Sequence, residues 1–239
     1  MSRTALLSLA LASVVALGCS SSTTSNSKEA ASARDAHDDA REIDQASAEA
    51  SPEEAAAAMA SRERRQVGDY VTFTFSGSYR KAPLALTQRV VEKDASTITV
   101  DYVFSDKKMK DTLRVTTRIT SRDVVAVVRV AADGTTTAVD RAAFEAKIAE
   151  TVAVADENEA LVTEEPAKVS VAGSEVDATR SVYKVRVGKK AATLKTLVSE
   201  SFAWGDLGGE IVTADGKVFY KAELGDAGGA AGATSRLDR

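Results

Sequence analysis

Between residues 67 and 224, apolar and polar side chains alternate with a period of two, which is the pattern of strands that bury one face. Apolar residues occupy every second position in runs such as Val71, Phe73 and Phe75, or Ile98, Val100, Tyr102 and Phe104. The runs are separated by turn residues, and the pairs Asp133-Gly134 and Asp215-Gly216 are hairpin signals. Consecutive strands joined by short turns predict an antiparallel meander with one solvated face.

Two segments of this region depart from simple alternation. Residues 124–130 are almost continuously apolar, which predicts a central strand buried on both faces. Residues 156–165 are acidic and are followed by Pro166, which predicts a solvated connection before a second set of strands.

A helix is predicted within the strand-rich region, over about residues 140–153. Asp140 can cap its N-terminus, and Phe144, Ile148 and Val152 recur at a spacing of four along one face. The predicted fold class is therefore mainly β with a helical part (α+β). We expect a curved antiparallel sheet, or half-barrel, whose apolar face is covered by this amphipathic helix; an open β-sandwich is the alternative.

The segments on either side of residues 67–224 lack the composition of a folded core. Residues 19–66 are rich in Ser, Ala, Glu, Asp and Arg and contain few large apolar side chains, so they are predicted to form a disordered, partly helical tether. Residues 225–239 are rich in Gly and Ala and are predicted to be a disordered tail.

Residues 1–18 have the features of an export signal. Arg3 provides a positive charge, and the apolar run that follows, residues 5–17, is too short to span a bilayer. Ala16, Leu17, Gly18 and Cys19 together resemble the lipobox of bacterial lipoproteins. The alternative is an ordinary secretory signal that happens to contain a cysteine.

The lipobox resemblance implies that Cys19 is acylated and becomes the N-terminus of an exported protein. Its partner would then be a membrane, reached through the lipid anchor. Ser20 follows the cysteine, and the sorting behaviour of the family then implies an outer membrane, with the protein facing the periplasm.

A second resemblance concerns the strand-rich region. The runs KVSVAG (168–173), YKVRV (183–187), SESFAWG (199–205) and LGG (207–209) are similar to the C-terminal half of uncharacterised secreted β-rich bacterial proteins. The layout of residues 67–224 is also similar to the half-barrels of lipoprotein-localisation carriers. This second similarity implies an apolar hollow that holds acyl chains.

The inventory of reactive side chains argues against catalysis. The chain of 239 residues contains one histidine and one cysteine. His37 lies in the predicted tether and Cys19 is consumed by the anchor, which leaves no histidine- or cysteine-based nucleophile and no Cys/His zinc site. We therefore expect no enzyme activity, no cofactor and no metal.

Charged clusters have simpler explanations than ligand binding. The net charge of -4 gives no support for a nucleic-acid partner, and Lys107, Lys108 and Lys110 lack interleaved aromatic residues. Lysines at such a hairpin tip commonly protect a sheet edge from pairing.

Two groups of acidic residues could have a chemical role. Asp206 and Glu210, near Trp204, could line a sugar-binding corner, but a glycine-shaped turn with Trp204 closing the end of the core is preferred. The acidic residues 156–159 lack the spacing of a calcium loop and are expected to be solvated.

The function predicted from the sequence is that of a binding or carrier module for a hydrophobic ligand or lipid. The candidate ligand-binding residues are Phe73 and Tyr102 on the sheet and Phe144 and Ile148 on the helix, which would act as a movable cover. The alternative is a structural or assembly lipoprotein that binds an envelope protein through its surface or an exposed sheet edge.

Overall fold

The computed structural model describes residues 63–153 and 155–229, in which eleven strands and helix α1 (Arg141–Ala149) form the domain. The first six strands precede α1: β1 (Tyr70–Ser76), β2 (Leu84–Lys93), β3 (Thr97–Ser105), β4 (Lys110–Arg118), β5 (Val124–Val130) and β6 (Thr136–Ala138). Five follow it: β7 (Glu157–Val171), β8 (Ser174–Val187), β9 (Lys190–Val198), β10 (Asp206–Thr213) and β11 (Val218–Gly228). The predicted signal, most of the predicted tether with Cys19 and His37, and the last ten residues lie outside the described residues.

The strands of the described residues pair into one sheet in the order β6-β5-β4-β3-β2-β1-β11-β10-β9-β8-β7. Every neighbouring pair is antiparallel, so the predicted meander is confirmed. The first and last strands, β1 and β11, lie side by side in the middle of the sheet. The strands that precede and follow α1 in the chain are β6 and β7, and they form the two edges of the sheet.

One face of the sheet is apolar across both halves. Phe73 lies opposite Leu86, and Leu86 lies opposite Phe104. In the other half, Ile211 lies opposite both Tyr220 and Leu194. Residues opposite each other on adjacent strands share a face, so these contacts form rows that run across the strands. The buried members of the rows belong to one core cluster.

The prediction that residues 124–130 form a central strand is wrong. This segment is β5, which lies next to the short edge strand β6. Val127 is buried, whereas Val125 is 53% exposed. The apolar run therefore reflects the β propensity of valine on a half-exposed strand, and burial on both faces does not occur.

The acidic segment before Pro166, predicted to be a solvated connection, is part of strand β7. Its glutamates pair with arginines of β8: Arg186 Nε donates to Glu159 at 2.7 Å, and Arg180 Nη1 donates to Glu165 at 3.2 Å. An edge strand tolerates proline and charge because one of its sides faces solvent. Composition alone therefore gave the wrong element here.

Two element ends differ from the predicted boundaries. Helix α1 ends at Ala149 with Glu150 as its C-cap, although its apolar spacing extended to Val152. Strand β11 continues to Gly228, past the expected start of the tail at residue 225, because Gly228 lies opposite Tyr70 of β1.

Candidate functional site

Helix α1 packs on the apolar face of the sheet. The Asp140 carboxylate accepts a hydrogen bond from the Ala142 amide at 3.2 Å, so the predicted N-cap is confirmed. Phe144 is fully buried, and its ring meets that of Tyr102 edge to face with centroids 4.9 Å apart. Ile148, one turn further along, is buried on the same side of the helix.

The four candidate ligand-binding residues all belong to the core cluster of the domain. Phe73 on β1, Tyr102 on β3, and Phe144 and Ile148 on α1 are each at most 6% exposed. The two rings that meet across the interface, Phe144 and Tyr102, fill the position that a ligand between helix and sheet would take. A ligand can enter there only if α1 moves away from the sheet.

Three side chains hold the C-terminal end of α1 to the sheet, and we call them the helix anchor. Tyr79 Oη and Arg80 Nη1 donate to the carbonyl of Glu150 at 3.4 and 3.1 Å, and Tyr220 Oη donates to the carbonyl of Thr151 at 3.2 Å. They satisfy the carbonyl of the C-cap residue Glu150, which has no intrahelical partner, and the carbonyl of Thr151, the next residue along the chain. Sequence reasoning missed the helix anchor because Tyr220 is 69 residues from Thr151 and no local pattern links them.

The segment that leads into β1 is fixed against the turn between β9 and β10. The guanidinium of Arg65 lies 4.2 Å from the centroid of the Trp204 ring, and its Nε donates to the carbonyl of Ala203 at 3.1 Å. Lys93 Nζ donates to the carbonyl of Arg65 at 2.7 Å. The predicted tether thus joins the domain at this end of the sheet.

The proposed sugar-binding corner does not have the geometry of a carbohydrate site. Trp204 lies in the core and beneath Arg65, as expected for a residue that closes the end of the core. Glu210 accepts from Lys195 Nζ at 2.8 Å, whereas Asp206 is buried. The two carboxylates therefore occupy different environments.

Asp206 is a buried carboxyl group at the start of β10. Its Oδ1 accepts from the Gly208 amide at 2.8 Å, and its Oδ2 has no hydrogen-bond partner among the described residues. Burial raises the pKa of Asp206 to about 6, although hydrogen bonds from the amides of Gly208 and Leu207 act in the opposite direction.

We predict that Asp206→Asn stabilises the protein at neutral pH. Between about pH 4 and 6, the folded protein holds a proton on Asp206 that the unfolded chain has lost, so the free energy of unfolding falls as the pH rises. Above pH 6 the buried carboxylate is charged, which costs about 3 kcal/mol. The asparagine variant should gain up to this amount in urea unfolding at pH 7.5 and almost nothing at pH 3.5.

Asp215→Asn is the matched control for this prediction. Hydrogen bonds from the Thr213 hydroxyl and the Lys217 amide lower the pKa of Asp215, so its charged form is favoured in the folded state. Its replacement should therefore lower stability at pH 7.5, opposite in sign to Asp206→Asn. A pH-independent effect of Asp206→Asn would contradict the assignment of the raised pKa.

Edge strand β7 is the second candidate site. It is 15 residues long and pairs with β8 on one side. In its first half, Leu161 and Val162 are 47% and 49% exposed. Register shifts between Asn158 and Ala160 and between Leu161 and Thr163 interrupt the pairing with β8, and the second shift contains Val162. The sequence analysis proposed binding through an exposed sheet edge without naming residues on it. In the structure, Leu161 and Val162 are exposed apolar residues on such an edge.

The acidic residues at the start of β7 are engaged within the protein. Glu157 and Glu159 both form ion pairs with Arg186, at 3.7 and 2.7 Å. The Asp156 carboxylate accepts a hydrogen bond from the Gly188 amide. These interactions tie the beginning of β7 to β8 and its following turn.

Within residues 63–153 and 155–229, no helix combines the length and apolar character that crossing a membrane requires.

Comparison with known proteins gives a likeness to solved structures alone. No protein-family model and no curated protein matches the chain. The folded part resembles MucB, with a TM-score of 0.38 and 12% identity over 78% of this chain and 62% of the MucB chain. In the Pseudomonas aeruginosa MucA/MucB complex the TM-score is 0.38 and the identity 13%, over 76% of this chain and 58% of that chain. The chain thus spans about three fifths of MucB.

Two further solved structures show a similar likeness. One is the hypothetical protein CT021 from Chlamydia trachomatis, with a TM-score of 0.40 and 13% identity over 75% of this chain and 95% of that chain. The other is a putative exported protein with a YmcC-like fold from Bacteroides fragilis, with a TM-score of 0.34 and 11% identity over 68% and 96%. At these values the likeness concerns the β-rich architecture and identifies no site.

Proposed function

We propose that the chain is a non-catalytic, exported lipoprotein whose domain binds an extended segment of another envelope protein along β7. Acylated Cys19 would hold it at the outer membrane, facing the periplasm. The observation that supports partner binding is the long edge strand with two half-exposed apolar residues in its first half. The unpaired backbone groups of such an edge can bind an added strand, and apolar side chains beside them give selectivity.

The edge also has features that disfavour indiscriminate pairing. Its register shifts, Pro166 and the neighbouring glutamates Glu164 and Glu165 all interrupt a flat, regular edge. Leu161 and Val162, by contrast, leave apolar surface exposed where a protective residue would be expected. This combination favours one matching partner over aggregation.

A photo-crosslinking experiment tests this proposal. A benzophenone amino acid at Leu161 should crosslink in cells to one defined protein, and Leu161→Lys should reduce complex recovery about tenfold because a charge replaces an apolar contact. The matched control is the same probe at Val218, which is 37% exposed on interior strand β11. Equal crosslinking from both positions, or none from Leu161, would refute partner binding along β7.

A second candidate function is the binding of a hydrophobic ligand beneath α1. It is supported by the way the helix is attached: Phe144 and Ile148 lie against the apolar face, and the helix anchor holds one end. In this alternative the sheet curves around α1 as a half-barrel, and the helix swings away to admit a lipid. The partner-binding proposal is preferred because the Phe144 and Tyr102 rings are already in contact.

A further inference from the structure

Two loops at one end of the sheet bring five basic side chains together. The loop between β1 and β2 contains Arg80 and Lys81, and the tip between β3 and β4 contains Lys107 and Lys108 and ends at Lys110. Ala85 of β2 lies opposite Ser105 of β3, which in turn lies opposite Lys110 of β4, so the two loops leave the sheet at the same end of adjacent hairpins. We call this set of five side chains the basic rim.

The four lysines of the basic rim are available to a partner, whereas Arg80 belongs to the helix anchor and donates to the Glu150 carbonyl. Lys81, Lys107, Lys108 and Lys110 are exposed, and none of them forms an ion pair within the described part of the chain. The nearby acid, Asp106, is used by the turn itself: its Oδ1 accepts from the amides of Lys108 and Met109 at 2.7 and 2.9 Å. These hydrogen bonds fix the shape of the tip. Asp106 keeps its negative charge, which lies near Lys108 and Arg80, but the five basic side chains outnumber it and leave a local excess of positive charge.

An exposed apolar residue lies at the centre of the tip. Met109, flanked by Lys108 and Lys110, is 42% exposed. Methionine is flexible and adapts to an irregular apolar environment. A basic hairpin tip with one exposed apolar side chain has the chemistry of a surface that meets anionic headgroups and inserts into the acyl boundary.

The topology removes the simpler explanation for these lysines. Lysines at a hairpin tip are expected to protect a sheet edge, but β4 lies between β3 and β5, in the interior of the sheet. The tip therefore adjoins no free edge, so protection of an edge does not account for its positive charge.

We propose that the basic rim docks the domain on an anionic lipid surface, with Met109 inserted among the headgroups. The rim lies beyond the end of β1, whereas the predicted tether enters at its start. β1 is roughly 23 Å long. The 48 residues of the predicted tether, residues 19–66, would span roughly 35–40 Å as a random coil. The rim can therefore reach the membrane that would hold Cys19, and docking would lay the domain against the bilayer.

Vesicle binding tests the role of the lysines. Full-length protein carrying Cys19→Ser, which has no acylation site, should sediment with vesicles of phosphatidylglycerol and phosphatidylethanolamine and not with phosphatidylcholine vesicles, and the binding should weaken with salt. Replacing Lys107, Lys108 and Lys110 by Gln should weaken binding at least about tenfold. The matched control replaces Lys168, Lys184 and Lys195 by Gln, which changes the net charge equally at exposed positions within strands β7, β8 and β9. An equal loss in both variants, or no loss in the rim variant, would overturn the proposal.

The insertion of Met109 has its own readout. Cys19 is the single cysteine of the sequence, so Met109→Cys in the Cys19→Ser chain provides a unique labelling site. The emission of an environment-sensitive fluorophore at this position should shift to the blue when anionic vesicles are added, and it should stay unshifted when DNA is added. The matched control is the same label at Val125→Cys on β5, where the native side chain is 53% exposed and where vesicles should cause no shift. The same shift with DNA, or from Val125, would indicate a general polyanion site or nonspecific adsorption and would refute membrane docking.

Discussion

Replacing Cys19 with serine should move the protein from the membrane fraction of cells to the soluble fraction. Each buried methylene of an acyl chain contributes about 0.8 kcal/mol to membrane binding, so two or more chains give a stable anchor. Serine offers no thiol to receive the diacylglycerol. The anchor is therefore lost completely, and only the reversible contact of the basic rim would remain.

The measurement is ultracentrifugation of lysed cells in high salt, combined with mass spectrometry of the N-terminal peptide. High salt removes electrostatic attachment by the basic rim and leaves acyl attachment in place. Ser20→Ala is the matched control, because it alters the adjacent residue and retains the thiol. Recovery of the unaltered protein in the soluble fraction, without an acyl mass on Cys19, would contradict the lipoprotein interpretation.

The strands that the sequence predicted well are those with one buried face. In β1 the buried positions are Val71, Phe73 and Phe75, in step with the apolar alternation. Most of β7 was not predicted as a strand, because its position at the edge leaves nearly every residue exposed and removes the apolar alternation. Its glutamates also resemble the composition of a loop. The information that identifies β7 as a strand lies in its partner, since Arg180 and Arg186 of β8 supply the complementary charges. Local composition does not record such pairing.

The candidate site was predictable in its helix and not in its long-range contacts. Asp140, Phe144 and Ile148 follow rules that operate over four residues, and each has the expected position. The pairing of β1 with β11 joins residues more than 150 positions apart, such as Tyr70 and Gly228. The burial of Asp206 and the hydrogen bond from Tyr220 to the end of α1 follow from that topology. Neither has a sequence signature of its own.

Phe144→Ala should lower the free energy of unfolding by about 3–5 kcal/mol. The ring is fully buried and packs on Tyr102, so its removal leaves a cavity between α1 and the sheet. Urea unfolding can be followed through Trp204, the single tryptophan of the sequence. Glu145→Ala is the matched control on the same helix. It removes an ion pair with Arg141 and should cost about 0.5 kcal/mol or less. Equal costs for the two variants would show that Phe144 does not hold the helix on the sheet.

The same variant separates the two candidate functions. If a lipid binds beneath α1, loosening the helix should change the affinity for a fluorescent fatty acid, because the helix must leave the sheet for the ligand to enter. If an extended partner binds along β7, fatty-acid binding should be absent in the unaltered protein and in the Phe144→Ala variant. Crosslinking from Leu161 should also persist under conditions in which Phe144→Ala remains folded. Phe144 contacts Tyr102 on β3, and β7 lies far from β3, at an edge of the sheet. A change in fatty-acid affinity with unchanged crosslinking would assign two separate activities to the two sites. Loss of crosslinking in the folded variant would instead show that the position of α1 controls the edge.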